Sequence, residues 1–573
     1  MKVKYFFQKS FWQNFWHSLS DVEKKIFWGA LILMVGSLII GGVFWYLNHT
    51  TLVAKEGGVL IEGMVGQPTT INPLFAANEI DQSLSSLVYR GLLKSDGKGG
   101  IINDLADSYE KSEDGRHWVV HLKKDVFWHD GTPFTADDVI FTINAIQNPD
   151  TRSPYRTAWQ GVTVTKISDY TLTFDLKNPY AFFEENLKQK IIPKHIFGEI
   201  PLANIRDLSA YNFEPIGTGP FIYEKFDATK KGYINYYIFN ANERFYNGRP
   251  FIDSYIIKFY QSETEALKAF EYHQIDLLSS VSTLNLKNIN RSHQLYEYSL
   301  PQYFAVFLNA IISKPLSDRN VRYALNYATN RKEIIDEVFQ GRAEAAEGPI
   351  LSWMPGYNPN LRAEYSLDKA KQILVTAGWE DADGDGTVEK ILNKNEDPTP
   401  LKITLITPST DFLIQTASLL KKQWKEIGAE VEIKIVEFSD LQNNYLTTRL
   451  YDALLYGNII NQKPDLFSFW HSSQKFYPGL NLSLYENASV DRFLEDARLT
   501  ASDDEYKKDL ANIQSSILTD MPAIFLYNPK VLLVALPTLH IENLEKLNIS
   551  SERYDNVYEW YLKTERILVD SND

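Results

Sequence analysis

Two stretches of this 573-residue chain carry side chains whose types and spacing could do chemistry. The first is Asp381-Ala-Asp383-Gly-Asp385-Gly386-Thr-Val-Glu389. Its Asp-x-Asp-x-Asp-Gly spacing winds three carboxylates round a glycine turn, as a calcium loop requires, with Glu389 as a further oxygen donor. Leu392 stands where such a loop would carry its closing glutamate, so the expectation is a structural calcium ion at most, with a solvated acidic turn as the alternative. The second stretch, His129-Asp130-Gly131-Thr132-Pro133, pairs an imidazole with a carboxylate, but Asp-Gly and Thr-Pro are turn signals and Thr135 reads as a helix cap. It is expected to be scaffold. Cysteine is absent, which excludes disulfides, thiolate metal sites and thiol nucleophiles. The ten histidines show no ligand spacing, and the serine-hydrolase, zinc-protease and phosphate-loop signatures are missing. No cofactor is required, and the chain is not expected to be an enzyme; an anchored hydrolase is the rival from another class.

The elements around these stretches begin with Ile26 to Leu47, an uncharged run whose helix would be roughly 33 Å long, enough for a bilayer core. Lys2, Lys4, Lys9, Lys24 and Lys25 precede it, while Lys55 alone lies close behind, so the N-terminus is expected in the cytoplasm and the rest outside it, single-pass in the cytoplasmic membrane. A cleaved signal peptide is the competing reading, with a shorter apolar core and a small-residue cleavage site as its marks. Residues 1–25 form an aromatic and basic segment, read as an amphipathic helix in the inner interface or as an extension of the span. Residues 48–57 are expected to be a linker. A net charge of −15 disfavours nucleic acid as a partner.

About 516 residues then remain, more than one core usually holds. They read as mixed α/β. Val59 to Met64 is strand-like, residues 162–176 alternate as a hairpin, and 401–438 reads as strand, helix and strand with a right-handed crossover. Asn330, with Glu333 three residues on, caps a helix.

From Gly58 to the C-terminus the order of motifs resembles the extracytoplasmic solute-binding proteins of ABC importers, in the peptide and nickel class. The matching pieces are Asn72-Pro73, Val88-Tyr89-Arg90-Gly91-Leu92, the run Phe127 to Val139, Gly217-Thr218-Gly219-Pro220-Phe221, Asn309, Asp318 to Leu325, and Ala377-Gly378-Trp379. The resemblance implies an α/β, two-lobed periplasmic-binding-protein (Venus flytrap) fold of the large peptide-binding class, preceded by one transmembrane helix. Lobe I would comprise 58–270 plus 522–573, and lobe II 271–521. It implies a monomeric receptor that captures a peptide between the lobes and delivers it to an ABC permease in the same membrane. The alternatives are a sugar, haem or metal-chelate ligand, or a ligand-sensing receptor.

By the same resemblance the loop Phe75 to Glu79, with Asn78, faces the cleft, and Tyr155 in Ser153-Pro154-Tyr155 touches ligand. Tyr303, Phe304 and Trp470 are further candidates, with a core role as the alternative. Peptide-binding members place an aspartate on the ligand's ammonium where this chain aligns Asn461, one residue short before Pro464. The amide forgoes a charge-assisted contact of about 1.5–3 kcal/mol. Asp465 could substitute if the loop is displaced.

Overall fold

The computed structural model describes residues 9–362, 364–392 and 397–568, with side chains from Trp12 onward. It separates into two compact units, one made of the residues up to Glu56 and from Tyr561 on, the other of Gly57–Trp560. Of the expected segment 1–25, residues 1–8 lie outside the described residues.

In the first unit a helix Lys9–Ser18 precedes the helix Asp21–Asn48. Ser20 starts the second one. Its hydroxyl accepts from the Glu23 amide while the Glu23 carboxylate accepts from the Ser20 amide at 2.8 Å, a reciprocal cap that breaks the chain direction there. Trp16 then stacks on Trp28 with ring centres 5.8 Å apart, so the short helix folds against the long one instead of extending it. Asp21–Asn48 is apolar enough to cross a membrane, with a mean hydropathy of 2.3 over eighteen residues and no buried side chain.

Residues 48–57 are not the linker the sequence suggests. Thr50–Lys55 is a strand paired antiparallel with Lys563–Leu568, Thr50 opposite Leu568 and Lys55 opposite Lys563. The pairing is reinforced by a Lys55–Glu565 contact of 2.9 Å and by the Arg566 guanidinium on the Thr50 hydroxyl at 3.0 Å. The segment 563–568 therefore belongs with this unit and not with lobe I, where the expected boundaries put it. A partner more than five hundred residues downstream leaves no trace in the local pattern.

The second unit is built on a twelve-stranded mixed sheet. One half runs Leu277–Leu278, Val59–Val65, Ser254–Tyr260, Ile234–Ala241 and Phe221–Ala228; the other runs Glu430–Val436, Lys402–Pro408, Ala453–Ile459 and Gln302–Leu308. The halves share the strand Ala523–Ala535, which pairs through Ala523–Tyr527 with Gln302–Leu308 and through Lys530–Ala535 with Gln294–Ser299. The chain thus changes half at 300–301 and again near 528–529. The expected boundaries at 270/271 and 521/522 fall short of both, because Leu277–Leu278 and Gln294–Ser299 still pair within the first half. A separate four-stranded sheet, Ala106–Lys111, His117–Leu122, Thr171–Leu176 and Val162–Ser168, includes the expected hairpin.

The second half has helices on both faces, and its central strand shows why. In Gln302–Leu308 the residues Tyr303, Ala305 and Phe307 enter one core with Leu454, Trp470 and Ile513, while Val306 and Leu308 enter another with Leu325, Leu405 and Trp424. A strand buried on both sides reads as a continuous apolar run, as this one does. The parallel pair Lys402–Pro408 and Glu430–Val436 is joined by the helix Asp411–Lys425, as the sequence implies.

One buried ion pair ties the first half to the C-terminal segment. Arg553 lies 3.4 Å from Glu62, and the Tyr255 and Tyr554 hydroxyls donate to the same carboxylate at 2.5 and 2.7 Å. Arg553→Met leaves that carboxylate buried without a counter-charge, an expected loss of about 3–5 kcal/mol. Urea unfolding followed by tryptophan fluorescence measures it, and adding Glu62→Gln should recover a large part; an unchanged midpoint for the single variant would refute the pairing.

Candidate functional site

A cavity of about 320 Å³ is lined by residues of both halves of the second unit. Its wall begins where the helix Glu79–Val88 ends. Tyr89-Arg90-Gly91 leaves the helix extended and runs beside 187–191, with the Leu93 amide on Leu187 O (3.1 Å) and the Ile191 amide on Arg90 O (2.9 Å). Gly91 permits that approach: a Cβ there would stand 2.5 Å from the Lys188 carbonyl oxygen. This pairing sets Arg90, Lys188 and Lys190 on one wall.

The opposing charges come from Asp104 and Glu185 and, in the C-terminal segment, from Glu552 and Asp555. Arg90 donates through Nε to Asp104 at 2.6 Å and through Nη2 to the Asp555 carbonyl at 2.8 Å. Lys188 bridges Glu185 and Glu552, each at 2.6 Å. Burial opposes the Lys188 charge, but these carboxylates outweigh it and raise its pKa. Lys94 has no such partner and burial lowers its pKa, whereas burial raises that of Asp555. Asn548 joins the two halves: its Oδ1 accepts the Gln462 amide at 2.6 Å, and its Nδ2 donates to Glu185 at 2.7 Å.

Of the residues chosen from sequence, Tyr155 and Asn461 line this cavity. The Tyr155 hydroxyl donates to the Ala76 carbonyl and accepts from Gln82 at 3.4 Å, so the tyrosine is fixed before any ligand arrives. The loop after Asn72 does reach the cavity, but through Pro73 and Ala76. Phe75 is buried beneath the Arg206 guanidinium, Asn78 caps the helix Glu79–Val88, and Glu79 faces Arg553 at 3.5 Å. None of these three lines the cavity.

The candidates from the second half fill the core. Tyr303 is fully buried and its hydroxyl accepts from Asn458 at 3.0 Å and from Trp470 Nε1 at 3.3 Å; Trp470 is buried with it. Phe304 stacks on Tyr527. Asp465 is consumed by Arg498, whose Nε and Nη2 reach it at 2.8 to 3.1 Å, and so does not substitute for the missing acid. Sequence reading missed Arg90, Glu185, Lys188, Lys190, Glu552 and Asp555. The run Glu184-Glu185-Asn186-Leu187-Lys188-Gln189-Lys190 has the look of a solvated face, and only its distant partners in 552–555 reveal otherwise.

Asp381, Asp383 and Asp385 do converge, with ligand oxygens within 4.8 Å of one another, all exposed. Glu389 does not join them; its carboxylate accepts the Ala382 amide at 2.8 Å. The turn lies apart from the cavity lining.

His129 also lies outside the cavity lining and is structural. Its Nδ1 accepts the Gly217 amide at 3.3 Å and its Nε2 faces the Gly219 carbonyl at 3.0 Å, an arrangement that only the neutral ring satisfies. Burial pushes its pKa down to about 4.

Comparison with known proteins sets this geometry in context. The profile of the bacterial extracellular solute-binding proteins, family 5 (middle region), matches residues 100–477. The oligopeptide-binding protein AppA of Bacillus subtilis is 31% identical over 521 residues, 89% of this chain and 92% of that protein. Its structure with a nonapeptide superposes with a TM-score of 0.67 at 29% identity, covering 89% of this chain and all of the other. NikZ of Campylobacter jejuni in complex with Ni(L-His) gives 0.70 at 28% identity, over 88% of this chain and 99% of the other.

The pH dependence of His129 has a definite sign. Above an unfolded-state pKa of about 6.5 both states are neutral there; below it the unfolded chain binds a proton that the folded one refuses until about pH 4. Stability should therefore fall by up to about 2–3 kcal/mol as pH drops through that window. Thermal unfolding from pH 7 to 4 should show a shallower loss for His129→Gln than for the parent, and parallel curves would refute the assignment.

Proposed function

The chain belongs to the bacterial extracellular solute-binding proteins of family 5, which serve ABC importers, and on that premise we propose that it is a membrane-anchored receptor capturing peptides. Its relatives are solute-binding proteins, not enzymes. The observation that carries the peptide reading is the cavity, to which the first half brings Tyr155 and the second Asn461. It lies in a chain that is alike, over 89% of its length, to an oligopeptide-binding protein.

Tyr155 and Trp159 offer apolar faces, while Gln82, Gln189 and Asn461 offer side-chain hydrogen bonds of the kind an extended backbone takes up. Because ligand would touch both halves at once, it favours the closed arrangement by its differential affinity, and the loaded receptor passes its peptide to a permease in the same membrane. The helix Asp21–Asn48 serves as the anchor, N-terminus inside, and the receptor works as a monomer. No histidine lines the cavity, so direct nickel coordination by imidazole is not favoured, although a metal chelate, a sugar or haem would each give a different bound mass. The turn at Asp381, Asp383 and Asp385 is proposed as a structural calcium site only.

Native mass spectrometry of the full chain, purified gently in detergent, tests the ligand class. A ladder of peptide masses is expected, and a single sugar, haem or chelate mass would overturn the reading. Asn461→Asp should then tighten binding of peptides with a free N-terminus about ten-fold or more, by supplying a charge-assisted bond. Alkaline extraction of membranes should leave the chain in the pellet at its full mass.

A further inference from the structure

The charges lining the cavity are unequally satisfied, and the inequality points to one end of the ligand. Four carboxylates line it. Asp104 is held by Arg90 at 2.6 Å, and Lys188 holds both Glu185 and Glu552. Asp555 accepts the Ser95 amide at 3.0 Å and lies 4.0 Å from Arg90. The Lys94 ammonium is spent on neutral oxygens: Asn556 Oδ1 at 2.8 Å, Tyr558 Oη at 3.1 Å and the Asp555 carbonyl at 3.5 Å.

Lys190 differs from all of these. It lines the same cavity, and its backbone is fixed by the bridge to Gly91. Among the described residues its Nζ makes no hydrogen bond and no ion pair. A half-buried ammonium with three unused donors carries a desolvation cost that no hydrogen bond or close ion pair offsets. Burial accordingly lowers its pKa, with Asp555 as the largest opposing influence.

We propose that Lys190 receives a carboxylate of the bound peptide and is the residue that selects ligands by it. The ligand's amino end then meets no carboxylate at the Asn461 position, since Asn461 is neutral and Asp465 is closed off by Arg498. The receptor would therefore tolerate a blocked N-terminus and require an anionic group. That group is either the terminal carboxylate or an acidic side chain, which present the same chemistry to an ammonium. This deepens the peptide reading and rests on it.

The test uses the full chain in detergent and a mixed pool of short peptides prepared in four forms: free, N-acetylated, C-amidated and blocked at both ends. A parallel pool lacks aspartate and glutamate. Competition followed by native mass spectrometry reads relative affinity. C-amidation of the acid-free pool should weaken binding by about ten-fold or more, the size of a charge-assisted bond, while acetylation changes it little. If amidated peptides still bind in the pool containing aspartate and glutamate but not in the acid-free one, the side chain is an accepted source of the carboxylate.

In Lys190→Met the penalty for amidation should vanish, with a melting temperature equal to or above that of the parent, because an unpaired charge has been removed. Lys190→Arg should keep the penalty. Equal binding of all forms, a penalty on acetylation instead, or an unchanged amidation penalty in Lys190→Met would each overturn the assignment and leave the peptide reading intact. Failure of every form to bind would remove the peptide reading and this assignment together.

Discussion

The binding unit depends on the neutralisation of charges that the C-terminal segment carries into the interior. Arg553 and Asp555 are both buried, two residues apart, and neither could stay there as an uncompensated ion. Glu62 meets the first and Arg90 the second, so the segment 548–560 is locked onto residues near the start of the unit. The cavity is a by-product of that lock. Its lining includes Arg90 and Lys188 together with Glu552 and Asp555, which they contact. Lys190 lines the same cavity, and among the described residues its ammonium, the charge we assign to the ligand, makes no hydrogen bond or ion pair.

A second constraint is continuity. The strand Ala523–Ala535 lies in both halves of the sheet, and Gln294–Leu308 accompanies it across. Two chain crossings, at 300–301 and 528–529, lie side by side and join the halves. Lys530 braces this place, with its ammonium on the Ser299 hydroxyl at 2.7 Å and the Glu344 carboxylate at 2.6 Å. Asn548 then links Glu185 to the Gln462 amide at the cavity, and Phe182 of the first half packs on Tyr506 of the second, so the halves are joined by polar and apolar contacts together.

Much of the architecture was legible along the chain because it follows from short-range rules. The caps at Thr135 and Asn330, the hairpin at 162–176 and the strand, helix and strand of 402–436 were all read from spacing and appear where expected. Site residues were less legible. Tyr303 and Trp470 have the composition of a ligand pocket, but a strand buried on both faces turns Tyr303 inward and the short helix Phe467–Trp470 packs Trp470 against it. Lys188 and Glu552 have the composition of a solvated surface, yet they pair at 2.6 Å in the cavity wall.

By itself the sequence determined the apolar helix and its flanking charges, the α/β class of the rest, the family to which the motif order belongs, and the neutral Asn461 in place of an acid. These depend on residues close together or on their order, and both survive in one dimension. Tertiary structure alone decided that Thr50–Lys55 is a strand, that Asp465 is taken by Arg498, and that Lys190 lines the cavity with no ion pair among the described residues. Whether a charge is paired depends on what the fold brings beside it from hundreds of residues away, and no local pattern encodes that neighbour.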